Sequence, residues 1–280
     1  MRRTIGRVVR LSGVGLHSGR EVRVELRPAD QGGVRFSRTD LAGAPFLVPE
    51  DWAQDAPPFR TVLRKGGAEV HTVEHLLSAL AGLGVSDLEV RLDGPEVPGL
   101  DGSALPWAEA LAGAGWRELP GMDLEPLAVR RAVEVREGQA VLRAEAYAGL
   151  RLSYLLDYPG EPLAQGRLEL EVSPESYLRE IAPARTFCLK REAAALLAAG
   201  LGKGANPRNT LLLDGDRVLE TALRFPDEPV RHKIADLLGD LYLLGRPLRG
   251  FIRAERSGHR QNRALVRRLA EEARVEGEKG

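Results

Sequence analysis

The sequence has almost no cysteine: Cys188 is the only one among 280 residues. A single thiol cannot form an internal disulfide, and it cannot supply the thiolates of a cysteine-based zinc module. Such scarcity fits a reducing compartment, so the cytoplasm is the expected location of the protein.

The sequence also lacks an excess of charge of either sign, because 40 Lys and Arg residues balance 40 Asp and Glu residues. A neutral chain has no overall field that attracts nucleic acid, an anionic membrane or another charged polymer. We therefore expect no nucleic-acid partner, and any charged ligand must be held by local groups.

Long hydrophobic runs are missing too. The longest apolar stretch, residues 193–201, contains a glycine and is about half as long as the roughly 20 residues that a membrane-spanning helix needs. The first residues repeat arginine without an unbroken apolar segment, so we expect neither a signal peptide nor an anchor there. No stable insertion into a membrane is expected.

The length and the hydrophobic content predict a chain of about two domains. With 280 residues and 43% hydrophobic residues, each domain can bury a sizeable core. Alternation of apolar and polar residues predicts strands at residues 22–26, 88–92, 133–135, 168–172 and 251–254. Apolar residues at helical spacing predict helices at residues 72–83, 107–114, 192–199 and 232–244. Each half of the chain therefore mixes sheet and helix.

A segment with two prolines and a glycine, residues 119–126, is the predicted linker between the two domains. The predicted boundaries are 1–122 for an N-terminal α+β domain, 123–270 for a C-terminal α+β domain and 271–280 for a charged tail, which we expect to be frayed. Two predicted helices, at residues 72–83 and 231–244, share a leucine stripe, a histidine near the start and a glycine at the end. This likeness indicates duplicated halves.

The sequence has five histidines, and imidazole is both the commonest metal ligand and the usual acid or base near neutral pH. One of them, His75, follows Glu74 on the first of these helices, on the side away from the leucines. Small residues surround the pair there, so another group can approach closely. The alternative is that Glu74 and His75 lie on a solvated helix face.

The second helix carries a stripe of His232, Asp236 and Asp240, which are spaced i, i+4 and i+8. A histidine and an aspartate one turn apart can bind the same metal ion. With His75 as a third ligand, they would leave a fourth position free for water, as a catalytic zinc site requires. An ordinary solvated face is again the alternative, although such a face usually alternates charges of opposite sign.

A competing pattern spans residues 71–75, which match the H-x-x-E-H signature of zinc proteases in which both histidines bind the metal. Against it, His71 follows Val70 closely enough to belong to the preceding strand, which would point its side chain elsewhere. The remaining two histidines, His17 and His259, are predicted on loops, where a lone histidine is more often exposed or capping.

Six segments taken together resemble the zinc-dependent UDP-3-O-acyl-N-acetylglucosamine deacetylases of lipid A synthesis. They occur in the family's order and span nearly the whole chain: GVGLHSG at 13–19, TVEHL at 72–76, EVPGLDGSA at 96–104, ARTF at 184–187, DEPVRHK at 227–233 and SGH at 257–259. The resemblance implies two α+β domains of similar topology, each a two-layer β/α sandwich. The helix layers would face each other around the active site.

The resemblance also implies one Zn²⁺ ion per chain. Its ligands would be His75, His232 and Asp236, in agreement with the set reached from helix spacing. Two imidazoles and one carboxylate also accept other divalent ions, so iron is the alternative metal.

The resemblance further implies a role for each of several residues around the metal. Glu74 would be the general base, and His259 would be the general acid, oriented by Asp240. The family's oxyanion contact falls on Thr186, and its substrate-binding lysine falls on Lys233.

Phe187 and Leu189 would contact the acyl chain, beside an apolar wall formed by residues 192–201. Plain core packing of that helix is the alternative. Cys188 and Leu189 stand where many members have glycine and a second aromatic residue, and Pro229 stands where an aromatic residue is common. Pro207 and Arg208 replace a more usual acidic residue, so these departures affect the preferred acyl length rather than the reaction.

The implied activity is hydrolysis of the 2-acetamido group of UDP-3-O-acyl-N-acetylglucosamine, which yields acetate and the free amine. The partner would be a small UDP-sugar with a fatty acyl chain, and the protein would act as a monomer. Three different functions stay open: a metal-dependent amidohydrolase or deacetylase for a different acylated amino sugar, a protease that uses His71, and a non-catalytic sugar-nucleotide-binding relative.

Overall fold

The computed structural model describes residues 2–121 and 123–277. In the N-terminal half, two helices accompany eight strands. The helices are α1 (Glu74–Leu83) and α2 (Leu105–Gly113), and the strands are β1 (Arg2–Ile5), β2 (Val9–Val14), β3 (Glu21–Arg27), β4 (Val34–Arg38), β5 (Val62–Lys65), β6 (Ala68–His71), β7 (Leu88–Leu92) and β8 (Trp116–Leu119).

The C-terminal half contains four helices and nine strands in the described part of the chain. The helices are α3 (Pro174–Ser176), which continues as a π-helical turn (Tyr177–Ile181), α4 (Lys190–Ala198), α5 (Glu228–Leu241) and α6 (His259–Gly277). The strands are β9 (Leu127–Ala128), β10 (Val133–Glu137), β11 (Ala140–Glu145), β12 (Leu150–Asp157), β13 (Gln165–Glu171), β14 (Phe187–Leu189), β15 (Leu211–Asp214), β16 (Arg217–Leu219) and β17 (Leu248–Glu255). Helix and sheet are mixed in both halves, which confirms the predicted α+β class.

The main sheets of the two halves have matching topology. The first has the order β2-β3-β7-β4, and the second runs β10-β11-β17-β12-β13. In each, the first two pairs are antiparallel and the third pair, β4 with β7 or β12 with β17, is parallel. A parallel pair needs a long crossover connection. Helix α1 lies in the first crossover and α5 lies in the second, so the two halves carry these helices at equivalent places.

Among the described residues, every strand pairing joins two strands of the same half. The predicted domain boundary at residues 122 and 123 remains a prediction, and Met122 itself lies outside the described residues. Within β3 the side chains of Val22, Val24 and Leu26 are buried and alternate with more exposed neighbours. The alternation predicted from the sequence therefore corresponds to the two faces of the sheet.

Helices α1 and α5 pack directly against each other, and glycine permits the close contact. A Cβ atom added to Gly239 of α5 would lie 2.1 Å from the carbonyl oxygen of Glu74. On the same side of α1, a Cβ atom at Gly82 would lie 2.3 Å from the ring of Tyr177. The small residues beside Glu74 and His75 thus allow neighbouring elements to pack closely, as expected from the sequence.

The end of the chain differs from the prediction. Residues 271–277 continue α6 rather than forming a frayed tail, and residues 278–280 lie outside the described residues. The reason is a helical stripe: Leu265 and Leu269 are buried, and Ala273 packs against the same core. Arg268 also pairs with Glu271 and Glu272 at helical spacing. Glu271 and Arg274 of this run therefore lie on the exposed face of a packed helix.

The described part of the chain contains no helix with the length and apolar character that crossing a membrane requires. The cytoplasmic location stays a prediction.

Candidate metal centre and active site

Three predicted ligands meet where α1 faces α5. In the described part of the chain, His75, His232 and Asp236 form a buried group whose possible ligand atoms all lie within 4.8 Å of one another. Asp236 Oδ1 is 3.3 Å from His232 Nε2 and 3.8 Å from His75 Nε2. Ligand atoms around a tetrahedral zinc ion lie roughly 3.3 to 3.6 Å apart, so the two distances from Asp236 Oδ1 are close to what such an ion requires.

The protonation states of these donors also suit a cation. Burial lowers the pKa of His75 to about 3 and lowers that of His232 as well, so both rings are neutral near pH 7. Burial alone would raise the pKa of Asp236, but the positive charges of Lys233 and His259 lower it, so this carboxylate is ionised. Neutral imidazoles and an ionised carboxylate are the forms that bind metals.

Two further observations show that the group fits a metal ion. Asp236 Oδ1 is buried and, among the described residues, has no hydrogen-bond partner. A charged oxygen in that condition is costly unless a cation is placed beside it. In addition, His232 Nδ1 donates to the carbonyl oxygen of Ala184 at 3.0 Å, which turns Nε2 toward the remaining two donors. The residues present are therefore suited to hold a divalent cation.

Glu74 lies beside this group at the first turn of α1, and only 3% of it is exposed. The helix begins shortly after Thr72, whose φ of 58° is unusual for a β-branched residue and turns the chain sharply from β6 into α1. Burial raises the pKa of the Glu74 carboxyl to about 7, with Asp236 and Asp240 adding to the rise and His259 opposing it. A carboxyl with this pKa can accept a proton near neutral pH.

His259 also lies beside the group. Its Nε2 lies 3.8 Å from both Glu74 Oε1 and Asp236 Oδ2. Its Nδ1 donates to Asp240 Oδ2 at 2.8 Å. Burial alone would lower the pKa of this imidazole, but the carboxylates of Asp240, Asp236 and Glu74 outweigh it and raise the pKa to about 9. His259 is therefore cationic near pH 7 and can donate a proton.

The position of His259 differs from the sequence prediction in one respect. The sequence predicts a loop there, whereas His259 is the first residue of α6. The preceding Ser257 and Gly258 lie between β17 and α6, so the short link from strand to helix places His259 at the site. Its contact with Asp240 is set by the packing of α6 against α5.

The remaining predicted site residues border one cavity of about 460 Å³, which the metal group, Glu74 and His259 also line. Thr186 and Phe187 are half-buried along its wall, and the Phe187 ring meets Tyr158 edge-on at 6.1 Å. Leu189 is buried, and Lys233 donates from Nζ to Asp236 Oδ2 at 2.7 Å. All ten predicted site residues are thus buried or half-buried close to this cavity.

Helix α4 also borders the cavity, through Ala193, Leu196 and Leu197. None of its residues is buried, so plain core packing does not account for its apolar side chains. Leu197 is 57% exposed. The interpretation of this helix as a core element only is therefore wrong.

The faces of α1 and α5 that carry the histidines and carboxylates are not solvated, because both are buried where the two helices meet.

The arrangement of ligands that the zinc-protease pattern predicts is not formed. His71 ends β6, its Nε2 pairs with Glu69 Oε2 at 2.7 Å, and it is not among the converging ligands. His17 lies in a turn, as predicted, and its ring borders the cavity, where Nδ1 accepts from the Gly202 backbone N–H at 3.3 Å.

Sequence reasoning missed two residues that contact the pair of Asp240 and His259. Asn262 donates from Nδ2 to Asp240 Oδ2 at 2.8 Å, and Thr61 donates from Oγ1 to Asp240 Oδ1 at 2.5 Å. Asn262 follows His259 by three positions in α6, so helix periodicity could have indicated it. Thr61 precedes β5 in a proline-containing loop, and no periodic pattern marks it.

A buried set of two imidazoles and a carboxylate, beside a carboxyl base and an imidazolium acid at one cavity, is typical of metal-dependent hydrolases. Comparison with known proteins identifies the family within this class. The model of the UDP-3-O-acyl N-acetylglycosamine deacetylase family matches residues 2–271. The chain belongs to this family.

Two relatives give the extent of the similarity. The UDP-3-O-acyl-N-acetylglucosamine deacetylase of Myxococcus xanthus (strain DK1622) is 42% identical over 272 residues, which are 95% of this chain and 85% of that protein. The UDP-3-O-acyl-N-acetylglucosamine deacetylase of Anaeromyxobacter dehalogenans (strain 2CP-C) is 40% identical over 270 residues, 95% of this chain and 86% of that protein.

Proposed function

We propose that this protein is a deacetylase that hydrolyses the 2-acetamido group of UDP-3-O-acyl-N-acetylglucosamine to acetate and UDP-3-O-acyl-glucosamine. The observation that carries the proposal is the convergence of His75, His232 and Asp236 beside Glu74 and His259, with no hydrogen bond from the described residues to Asp236 Oδ1. The names of the two relatives support the choice of substrate. In lipid A synthesis this hydrolysis is the committed step.

The metal is proposed to be one Zn²⁺ ion per chain, held by His75, His232 and Asp236. When bound, such an ion supplies positive charge that polarises the amide carbonyl and lowers the pKa of the attacking water. The donor set itself supports zinc, because two imidazoles and one carboxylate leave one position open, as catalytic zinc sites do.

Glu74 is the proposed general base. Its carboxylate takes a proton from the water as the water oxygen attacks the acetamide carbon. The buried position supports this role, since it brings the pKa of Glu74 to about 7, close to the pH at which it must accept the proton. Oε1 faces His259, while Oε2 accepts the Thr61 backbone N–H at 3.1 Å, which orients the carboxylate.

His259 is the proposed general acid. The bond between the carbonyl carbon and the sugar nitrogen breaks as His259 Nε2 gives its proton to that nitrogen, so acetate and the free amine leave. The raised pKa of about 9 keeps the imidazole protonated for this step, and Asp240 holds its Nδ1. The proton that Glu74 accepted can return to His259 or to solvent before the next turnover.

Negative charge develops on the carbonyl oxygen during the attack, and the Thr186 hydroxyl is the proposed donor to it. One fixed donor of this kind contributes about 3 to 4 kcal/mol in comparable sites. The backbone supports a fixed position for Thr186, because its N–H donates to Gly102 O at 2.8 Å and its carbonyl accepts from Leu211 at 2.9 Å. Residues from both halves of the chain therefore hold this segment.

The substrate contacts are proposed from the lining of the cavity. Phe187, Leu189 and the apolar side chains of α4 that line the cavity would cover the acyl chain, since an apolar wall suits an aliphatic ligand. Lys233 is the proposed cation near the sugar and diphosphate, although its ammonium also pairs with Asp236. We further propose that the protein acts as a monomer, because one chain contributes every residue named here.

The test is acetate release by the purified, zinc-loaded protein. We expect acetate from UDP-3-O-acyl-N-acetylglucosamine and at least a hundredfold lower kcat/KM for UDP-N-acetylglucosamine without the acyl chain. A chain that releases acetate only from another acylated amino sugar would contradict the substrate assignment. A metal-loaded chain that binds the nucleotide sugar but releases no acetate would contradict the proposed activity.

A further inference from the structure

Thr61 lies just before β5 and belongs to neither of the helices that carry the base and the acid. Its side chain is fully buried, at 0% exposure. Its backbone N–H donates to Glu74 Oε2 at 3.1 Å, and its hydroxyl donates to Asp240 Oδ1 at 2.5 Å. One residue thus joins the base on α1 to the carboxylate that holds the acid.

The hydroxyl of Thr61 completes the hydrogen bonds of Asp240. Oδ2 of this carboxylate accepts from His259 Nδ1 and Asn262 Nδ2, both at 2.8 Å. Thr61 supplies the donor to Oδ1. Asp240 is itself 0% exposed, so loss of that donor would leave a buried carboxylate oxygen without a hydrogen-bond partner among the described residues. The carboxylate that holds His259 Nδ1 would then keep only the two hydrogen bonds on Oδ2.

Hydrogen bonds from two further residues, Arg263 and Thr72, hold the loop that carries Thr61. Arg263 of α6 donates to the carbonyl oxygens of Arg60 at 3.1 Å and Ala56 at 3.2 Å. The Thr61 carbonyl accepts from the backbone N–H of Thr72 at 2.8 Å. Arg263 follows His259 by one helical turn, so the element that carries the acid also holds the loop that bridges it to the base.

We infer that Thr61 is a positioning residue that sets the relative placement of the two proton-transfer groups by holding Asp240 and Glu74 at once. The inference rests on the proposed function, because it assigns Glu74 and His259 to successive proton transfers. Thr61 need not touch the substrate for this role. Its effect is therefore on turnover rather than on binding of substrate or metal.

Two substitutions separate the hydroxyl from the rest of the side chain. Thr61→Val keeps the backbone N–H and the shape but removes the donor to Asp240, and Thr61→Ser keeps the donor. For Thr61→Val we expect kcat to fall about 10- to 100-fold, with KM and zinc affinity within about twofold of wild type. Thr61→Ser should restore most of the rate.

Thr4→Val is the matched control. Thr4 is another fully buried threonine of the N-terminal half, in β1, which pairs with β8, and its hydroxyl accepts from Ala29 N at 3.1 Å. Its substitution should lower the unfolding temperature without changing kcat. Zinc affinity, measured by competition with a chelator, and thermal unfolding are recorded for all variants.

A double-mutant cycle with His259→Ala tests how the hydroxyl acts. If the hydroxyl works through Asp240 and His259, adding Thr61→Val to His259→Ala should cost less than about threefold in kcat, far below the product of the single effects. If Thr61 has only a structural role, the losses in kcat of the two single variants should multiply in the double variant. If Thr61→Val does not fold, Thr61→Ala removes the same hydroxyl and replaces it in the cycle.

The outcomes are distinguishable. An unchanged kcat in the valine and alanine variants, or multiplicative losses in the cycle, would overturn the inference while leaving the deacetylase assignment intact. A wild-type chain that is loaded with zinc and releases no acetate would overturn the assignment and the inference with it. A drop in zinc affinity that parallels the drop in kcat would also overturn the inference, since Thr61 would then act on the metal group.

Discussion

Gly239 of α5 lies against the backbone of Glu74 in α1, with room for a hydrogen atom but none for a side chain. This contact sets the separation of the two helices that carry the metal group, because His75 follows Glu74 directly and Asp236 lies one turn before Gly239. The separation of the ligands therefore depends on the absence of one Cβ atom.

The first prediction concerns this contact. Gly239→Ala should destabilise the protein by about 1 to 3 kcal/mol and weaken zinc binding at least tenfold, because a Cβ 2.1 Å from the Glu74 oxygen forces the helices apart. Chelator competition and chemical unfolding measure the two effects.

The control for this prediction is Gly113→Ala at the end of α2, where a new Cβ atom meets nothing within 4 Å. Removal of a helical glycine there should be neutral or stabilising by up to about 1 kcal/mol. Equal zinc affinity in the two glycine variants would show that the Gly239 contact does not set the site geometry.

The second prediction concerns the ligands. His75→Ala, His232→Ala and Asp236→Ala should each bind zinc at least tenfold more weakly and lose nearly all activity, because a set of three ligands is reduced to two. Elemental analysis after dialysis measures the retained metal. His71→Ala is the control and should keep its zinc, since His71 pairs with Glu69 outside the group. Stoichiometric zinc in any of the three ligand variants would remove that residue from the ligand set.

The third prediction concerns the proton-transfer groups. Glu74→Gln and His259→Ala should each lower kcat by on the order of 10² or more, because each removes one proton transfer from the reaction. Both proteins should retain zinc, since neither side chain belongs to the three-ligand group. Single-turnover rates and metal content are measured on the same preparations. A variant with near-normal kcat would show that its residue does not have the proposed role.

The fourth prediction is the pH dependence of kcat/KM. Glu74 must be ionised to accept a proton, so the rate should fall as pH drops below its pKa of about 7. His259 must be protonated to donate, so the rate should fall as pH rises above its pKa of about 9. A bound divalent cation favours the less protonated form of both groups, so both limbs of the profile should lie at or below these values in the zinc-loaded enzyme.

Two variants show which residue causes each limb of the pH profile. In Glu74→Gln the residual activity should lose the acidic limb, and in His259→Ala it should lose the alkaline limb. A wild-type profile that is flat between pH 5 and pH 10 would contradict both assignments.

The fifth prediction concerns the ion pair behind His232. Glu228 is 0% exposed and accepts from the backbone N–H and the guanidinium of Arg185, which follows Ala184. Glu228→Ala leaves that guanidinium buried without its negatively charged partner, so the free energy of unfolding should fall by about 3 to 5 kcal/mol. Because the Ala184 carbonyl holds His232, zinc affinity should fall as well.

An exposed ion pair supplies the control. Arg179 and Glu175 pair on the surface of the C-terminal half, and Glu175→Ala there should cost less than about 1 kcal/mol. Urea unfolding of both variants makes the comparison. A loss below about 1 kcal/mol for Glu228→Ala would show that the buried pair does not hold this segment.

The sequence by itself determined the local elements and the directions of side chains on them. Helix spacing placed His232, Asp236 and Asp240 on one face of α5, and alternation placed Val22, Val24 and Leu26 on one face of β3, because both periodicities follow from backbone geometry alone. The resemblance to a deacetylase family likewise came from short segments, and the match of that family over residues 2–271 confirms it.

Only the tertiary structure decided what those faces meet. The stripe on α5 could have faced solvent, and it faces α1 because Gly239 permits close packing there. The bridge by Thr61 joins residues 179 positions apart, and His259 begins α6 instead of lying on a loop. Local spacing sets the direction of a side chain on its own helix, whereas its partner depends on how distant elements pack, which no single segment of sequence encodes.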